Sequence, residues 1–176
     1  MSDTFSSPGP VVLTRLILLG LFVASVTALG SALASQYVGG LAPCVLCLYQ
    51  RAVYAAVIMI SGAGLGLAFS PVPRIDWMRG LIALCGLTLL IGAGIAAFHV
   101  GVEQHWWAGT DSCGSTTGGA QTVEELRAQL MAAPITRCDE VAWSLFGISM
   151  AGYNVIASLA LAVFAFAGWR ETGEEG

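Results

Sequence analysis

The chain has 176 residues, of which 56% are hydrophobic and only 10% are charged, and its formal net charge is −4. A soluble domain usually carries about 25% charged residues, and a nucleic-acid-binding protein needs a basic face that this composition does not supply. The composition therefore favours an integral membrane protein, with lipid as its surroundings and no nucleic-acid partner.

Four apolar runs are each long enough for a membrane-spanning helix, which needs roughly 20 residues. In chain order they cover residues 13–34, 45–69, 78–99 and 143–169. Gly39 and Gly40 separate the first two runs, and Pro71 and Pro73 end the second, since proline cannot continue a helix. Lipid offers no partner for free backbone groups, so each run should be helical. We predict an all-α four-helix transmembrane bundle, with residues 1–176 forming one four-span membrane domain.

Four spans place both termini on one side of the bilayer and the outer loops 35–44 and 100–142 on the other. Four arginines on the side of the termini, against three on the loop side, slightly favour cytoplasmic termini. An alternative is a cleaved signal peptide ending at Ala32-Leu33-Ala34. However, the first run is longer than a signal-peptide core and has no basic cluster before it.

The long second loop contains a helix-start signal, Thr122-Val123-Glu124-Glu125, in which Thr122 would cap the helix and Glu125 would reach back. Val123, Leu126 and Leu130 would then share one helical face. We predict a short amphipathic helix lying at the membrane interface. An ordinary solvated loop helix is the alternative.

Cys44 and Cys47 form a C-x-x-C motif where the second helix begins. A helix amino terminus stabilises a thiolate, which is the reactive form of cysteine. Cys113 and Cys138 lie in the second outer loop, on the same predicted side. Disulfides persist outside the cytosol, so these four cysteines also favour cytoplasmic termini. Cys85, inside the third run, is expected to be a small buried apolar residue.

Two other interpretations of the four loop-side cysteines stay open: a zinc site, and two inert disulfides that brace the loops. A C-x-x-C pair is a poor structural brace, because closing so short a loop gains little entropy.

Arg51 lies one helical turn after Cys47, on the same helix face. A charge in a span is costly and suggests a function, such as stabilising a thiolate or binding a carbonyl-bearing cofactor. An interfacial arginine that reaches the lipid headgroups is the alternative. His99, at the end of the third run, is a candidate hydrogen-bond or proton donor. Whether Gln50, Gln104 or His105 contribute stays open.

Together these features resemble the bacterial disulfide bond formation protein B family, DsbB. The resemblance rests on the four spans, the motif P-C-V-L-C-x-Y-x-R at 43–51, the histidine ending the third span and the loop cysteine pair. It covers nearly the whole chain. It implies a bacterial inner-membrane enzyme with cytoplasmic termini and periplasmic cysteine loops.

The resemblance also implies an electron relay with four catalytic cysteines and no metal. The Cys113–Cys138 pair would oxidise a periplasmic DsbA-type thioredoxin-fold protein, which would attack Cys113. Cys138 would pass electrons to Cys44, and the Cys44–Cys47 pair would be reoxidised by ubiquinone or menaquinone. Arg51 and His99 would bind the quinone.

Two rival functions are a membrane scaffold with structural zinc or inert disulfides, and an importer of electrons across the membrane. The importer should expose cysteines near both faces of the bilayer. Only Cys85 lies deep in a span, and it has no cysteine nearby in the sequence.

Overall fold

A computed structural model describes residues 9–110, 122–124 and 137–174, without the side chain of Glu174. In chain order its elements are α1 (Pro10–Tyr37), α2 (Val45–Ala68), α3 (Ile75–Glu103), β1 (Ser144–Leu145), β2 (Ile148–Ser149) and α4 (Met150–Glu174). The four helices are long and apolar enough to cross a membrane. The predicted all-α four-helix transmembrane fold is therefore confirmed.

The first two helices form an antiparallel pair. Pro10 opens α1, because its fixed φ suits the first helical position. After α1, Gly40 adopts a φ of +69°, a left-handed conformation that glycine takes without strain. Cys44 is the N-cap of α2, so the turn between the helices places the C-x-x-C motif at the end of the bundle where α1 finishes.

Two arginines tie this helix pair together, one at each end. Arg15 of α1 donates from Nε to the Ala68 carbonyl at the end of α2 over 3.1 Å. At the opposite end, Arg51 of α2 donates from Nη2 to the Ala32 carbonyl of α1 over 2.9 Å, and from Nη1 to the Gln36 side chain. Both charges are thus satisfied by the partner helix, as charges in a span require.

Helix α3 packs against both α2 and α4 and extends beyond the predicted run of 78–99 in both directions. Asp76 lies in its first turn, where the helix dipole favours a negative charge. Gly101, Val102 and Glu103 form a buried last turn. The apolar run predicted too short a helix, because α3 also includes the charged residues Asp76 and Glu103 at its two ends.

The fourth span was predicted to begin at Trp143, but α4 begins at Met150. The intervening residues form a hairpin in which Ser144 pairs with Ser149 and Leu145 with Ile148. Its two turn residues, Phe146 and Gly147, have φ values of +50° and +79°, the positive pair that tight hairpin turns require. The predicted start was wrong because the apolar pattern extends through this hairpin, whose turn geometry is incompatible with a helix.

The predicted interfacial helix of the second loop falls almost entirely outside the described residues. Val123 and Glu124 are helical. Its extent and its position at the interface stay predictions.

The core lies along the bundle axis, and large apolar side chains also cover the outer faces. Fully buried side chains include Leu18, Leu21, Val57, Met78, Ile82 and Leu89. Cys85 is fully buried among them, as predicted for a small apolar residue. Outward-facing residues include Leu16, Met59, Ile91 and Val163. This inside-out apolarity is what a helix bundle surrounded by lipid requires.

Helices α2 and α3 approach closely at Gly92, and we expect Gly92→Ala to destabilise the bundle by about 1–3 kcal/mol. An added Cβ would lie 2.7 Å from Val53 Cγ1, and a β-branched valine has little rotamer freedom to yield. Thermal or denaturant unfolding in detergent measures the loss. Gly94→Ala is the matched control, since a Cβ there meets nothing within 4 Å. Equal stability of the two variants would contradict close packing at Gly92.

Candidate active site

The C-x-x-C motif occupies the amino end of α2. The Cys44 sulfur accepts a hydrogen bond from the Cys47 backbone N–H at 3.3 Å, and the two sulfurs lie 2.7 Å apart. Cys44 is buried, Cys47 is half-buried, and both are free thiols. Two main effects raise the pKa of the Cys44 thiol: the larger is its hydrogen bond with the Cys47 side chain, and the second is burial. A sulfur in this setting needs a nearby donor if it is to carry negative charge.

The second loop brings Cys138 to this motif. Cys138 is 1% exposed and packs in one buried cluster with Cys44, Leu46 and Val102. It is disulfide-bonded. Cys113, its predicted partner, lies outside the described residues, so the 113–138 pairing stays a prediction. The fold thus places one predicted relay cysteine of the loop in the same buried cluster as the first cysteine of the motif.

His99 lies between the motif and the loop, one turn before the end of α3. Its Nε2 is 3.6 Å from the Cys44 sulfur and 3.9 Å from a Glu103 carboxylate oxygen. The His99 ring also interacts with the backbone of Cys138. The histidine predicted as a cofactor ligand is therefore a neighbour of the cysteine pair itself.

A cavity of about 500 Å³ opens beside Cys47, lined by residues of all four helices and of the second loop. Alanines such as Ala28, Ala32 and Ala157 contribute to its walls. Arg51 and His99 line the same cavity. A largely apolar pocket with a few converging polar groups is the usual form of a small-molecule site, so the predicted residues Cys44, Cys47, Arg51 and His99 share one candidate site.

A network of mostly buried polar residues adjoins His99. Of its other members only Gln50 was a candidate from the sequence. Gln50 Nε2 lies 2.9 Å from His99 Nδ1, and Gln50 in turn accepts a hydrogen bond from Asn154. Tyr54 donates to Asn154 Oδ1 at 2.5 Å. Ser149 donates to Glu103 over 2.5 Å and accepts from the Gly152 backbone N–H, as the first turn of α4 requires.

One signal could have found these residues. Polar residues recur four positions apart within otherwise apolar spans, and such residues lie on one helix face. The pairs are Gln50 and Tyr54, His99 and Glu103, and Asn154 and Ser158. Gln104 and His105, also left open, are exposed beyond the end of α3.

The loop next to Cys138 carries its own ion pair. Arg137 donates to both Asp139 carboxylate oxygens, from Nε at 2.9 Å and from Nη2 at 2.5 Å. The Arg137 guanidinium lowers the pKa of Asp139 to about 2. The positive charge beside Cys138 is therefore largely neutralised by its neighbours.

Three soft donor atoms converge at this site. The ligand atoms of Cys44, Cys47 and His99 all lie within 4.8 Å of one another. Thiolate and imidazole are donors that suit zinc. The geometry alone therefore permits either redox chemistry or metal binding at the motif.

Comparison with known proteins identifies the family of the chain. The family model for disulfide bond formation protein DsbB matches residues 14–168. Disulfide bond formation protein B 1 of Pseudomonas fluorescens is 30% identical over 150 residues, covering 85% of this chain and 78% of that protein. Disulfide bond formation protein B of Dechloromonas aromatica is 32% identical over 157 residues, covering 84% of this chain and 86% of that protein.

No solved structure shows a significant match to the chain. The family match nevertheless reaches into all four helices and includes Cys44, Cys47, Arg51 and His99. The chain therefore belongs to the DsbB family, whose members are multi-pass membrane thiol oxidoreductases that act in disulfide bond formation.

Proposed function

We propose that this protein reoxidises a periplasmic DsbA-type thioredoxin-fold protein by passing its electrons through two cysteine pairs to a membrane quinone, ubiquinone or menaquinone. The observation that carries the proposal is the position of the Cys44–Cys47 motif. On one side Cys44 shares a buried cluster with Cys138 of the loop. On the other, Cys47 lines an apolar cavity between the helices. A relay needs both neighbours at once.

The relay proceeds by thiol–disulfide exchange, in which a thiolate attacks one sulfur of a disulfide and the other sulfur leaves. The reduced partner attacks Cys113 of the Cys113–Cys138 disulfide, and Cys138 leaves as a thiolate. Cys138 then attacks Cys44 of the Cys44–Cys47 disulfide, and Cys47 leaves with the electron pair. The second thiol of the partner then attacks the partner sulfur bonded to Cys113. The partner's disulfide forms, and Cys113 leaves as a thiolate.

The cycle closes on the same sulfurs. Cys113 attacks Cys138 in the Cys44–Cys138 bond, so the loop disulfide reforms and Cys44 leaves with the electron pair. The motif is now a dithiol holding two electrons more than before. A quinone supplies the acceptor for these two electrons and the two accompanying protons.

The cavity residues fit a quinone. The volume of about 500 Å³ lies within the usual range for small-molecule sites, roughly 300–1,000 Å³. A quinone ring needs apolar walls and N–H donors for its two carbonyl oxygens. Arg51 has five N–H donors, of which the hydrogen bonds to Gln36 and Ala32 use two. Arg51 would donate to a ring carbonyl, and the His99 ring would line the site, with Cys47 beside it.

The proposed orientation follows from the chemistry of the cysteines. The motif, Cys138 and the ends of α1 and α3 lie at one end of the bundle, and Arg15 and Ala68 lie at the other. Disulfides form and persist in oxidising compartments. We place the cysteine end at the periplasmic face and both termini in the cytoplasm of a bacterial inner membrane.

The direct test is an assay of purified protein in detergent with a reduced thioredoxin-fold dithiol oxidase and a water-soluble quinone. We expect quinone absorbance to fall in proportion to the dithiol oxidised, one quinone for each disulfide formed. Solvent extraction of the unsupplemented protein should also release quinone. Dithiol oxidation that needs no quinone would contradict the proposal.

The alternative function is a scaffold with structural zinc at Cys44, Cys47 and His99, and the convergence of their ligand atoms is the observation that favours it. Elemental analysis of protein purified without chelator separates the two. A relay predicts far less than one zinc ion per chain, together with thiols that alkylate after reduction. Stoichiometric zinc that blocks alkylation would support the scaffold.

A further inference from the structure

A continuous chain of hydrogen bonds crosses three helices and ends at the Cys44 sulfur. It begins at the Tyr54 hydroxyl, which contacts Asn154 Oδ1 at 2.5 Å. Asn154 Nδ2 donates to Gln50 Oε1, and Gln50 Nε2 lies 2.9 Å from His99 Nδ1. His99 Nε2 then faces the Cys44 sulfur at 3.6 Å. The relay through the cysteines uses none of Tyr54, Asn154 and Gln50.

The amide orientations of Asn154 and Gln50 give this chain its direction. Asn154 Oδ1 receives two hydroxyl groups, from Tyr54 at 2.5 Å and from Ser158 at 3.2 Å. With its oxygen so occupied, Asn154 presents its amide nitrogen to the Gln50 oxygen. Gln50 must then turn its own nitrogen, which can only donate, toward His99. His99 Nδ1 is therefore an acceptor and carries no proton.

The opposite side of the ring supports the same assignment. Nε2 faces the Cys44 sulfur at 3.6 Å and a Glu103 carboxylate oxygen at 3.9 Å. A bare nitrogen lone pair would repel the carboxylate oxygen and a Cys44 thiolate, whereas an N–H is attracted to both. In a neutral imidazole the hydrogen bond made by one nitrogen fixes the state of the other.

We propose that Tyr54, Asn154 and Gln50 are positioning residues that hold the His99 proton on Nε2, so that His99 donates a hydrogen bond to the Cys44 sulfur. This inference rests on the proposed function for its role in the reaction. When Cys113 attacks Cys138, the S–S bond between Cys138 and Cys44 breaks and the electron pair moves to Cys44. The Nε2–H then stabilises the departing thiolate, and no proton has to be transferred in that step.

Nitrogen NMR of the imidazole tests the assignment without any partner or quinone. The chain has only two histidines, and His105→Asn leaves His99 as the sole imidazole. His105 is exposed with a φ of +57°, a conformation that asparagine tolerates. With ¹⁵N-histidine and a histidine-free purification tag, we expect a protonated Nε2 and an unprotonated Nδ1. A protonated Nδ1 in this protein would overturn the proposal.

Two substitutions in the same background test the chain itself. Gln50→Glu has the same shape but replaces the donor with an acceptor, so we expect Nδ1 to become protonated. Asn154→Leu removes the link to Tyr54, so we expect a mixture of the two tautomers. An unchanged His99 spectrum in both variants would overturn the proposal, even if thiol oxidation were intact.

Kinetics separate positioning from mere structural support. Because Asn154 also lines the cavity, kcat for dithiol oxidation is measured at saturating quinone. We expect Asn154→Leu to lower it by about fivefold to tenfold, the ratio that loss of one hydrogen bond produces. A melting temperature near that of the parent protein excludes partial unfolding as the cause. If Asn154→Leu changed the His99 tautomer but left kcat unaltered, the hydrogen-bond chain would have no role in the reaction.

Discussion

Replacing Cys47 with serine should reduce dithiol-dependent quinone reduction to the rate of the uncatalysed reaction, and Cys44→Ser should do the same. A hydroxyl cannot form the disulfide that carries two electrons from the loop to the cavity. Both side chains are small and similar in volume to serine, so the fold should survive. The measurement is quinone absorbance in the presence of a reduced thioredoxin-fold substrate.

Cys85→Ala is the matched control for this pair. Cys85 is as buried as Cys44, but it lies in the core cluster with Met78, Ile82 and Leu89 instead of beside the cavity. The Cys85→Ala variant should reduce quinone at the rate of the parent protein. Full activity in Cys44→Ser or Cys47→Ser would refute the relay, whereas loss of activity in all three variants would indicate a folding defect.

Removing the Arg51 side chain should raise KM for quinone by about tenfold or more. Hydrogen bonds from a charged donor contribute about 1.5–3 kcal/mol, and a factor of ten corresponds to about 1.4 kcal/mol. Arg51→Ala therefore tests whether the guanidinium binds a quinone carbonyl in addition to Gln36 and Ala32. Arg51→Lys should recover only part of the affinity, since an ammonium lacks the planar set of donors.

Arg15→Ala controls for the structural contribution of Arg51. Both arginines tie α1 to α2 through a backbone carbonyl, Arg15 to Ala68 and Arg51 to Ala32. Arg15 does so at the end of the bundle away from the cysteines, where its guanidinium also lies 5.2 Å from the centre of the Phe69 ring. We expect its removal to lower the melting temperature with KM for quinone unchanged. Equal KM values in both variants would assign Arg51 to helix pairing alone.

The four helices could be predicted from the sequence because a span is encoded locally. Length, apolarity and absence of charge identify it without any knowledge of its neighbours. The start of α4 shows the limit of that signal. Apolarity placed the fourth span at Trp143, but the positive φ values of Phe146 and Gly147 make a turn, and α4 begins at Met150.

The candidate site divides in the same way. Cys44, Cys47 and Arg51 lie within about two helical turns of one another, so their relationship could be predicted from spacing alone. His99 was predicted to act on a bound cofactor. That role stays a prediction, and its nitrogens contact the Cys44 sulfur and the Gln50 amide, which are 55 and 49 residues away along the chain. Spacing carries no information about such contacts.

The sequence by itself determined that the chain spans a membrane four times and that its reactive dithiol begins the second helix, because hydrophobic length and the C-x-x-C motif are local properties. Only the tertiary structure decided which polar residues meet. Up-and-down packing brings the start of α2, the end of α3 and the start of α4 to one end of the bundle. There, out of contact with water, each buried polar group must find a protein partner, and those partners connect Tyr54, Asn154, Gln50 and His99 to the Cys44 sulfur.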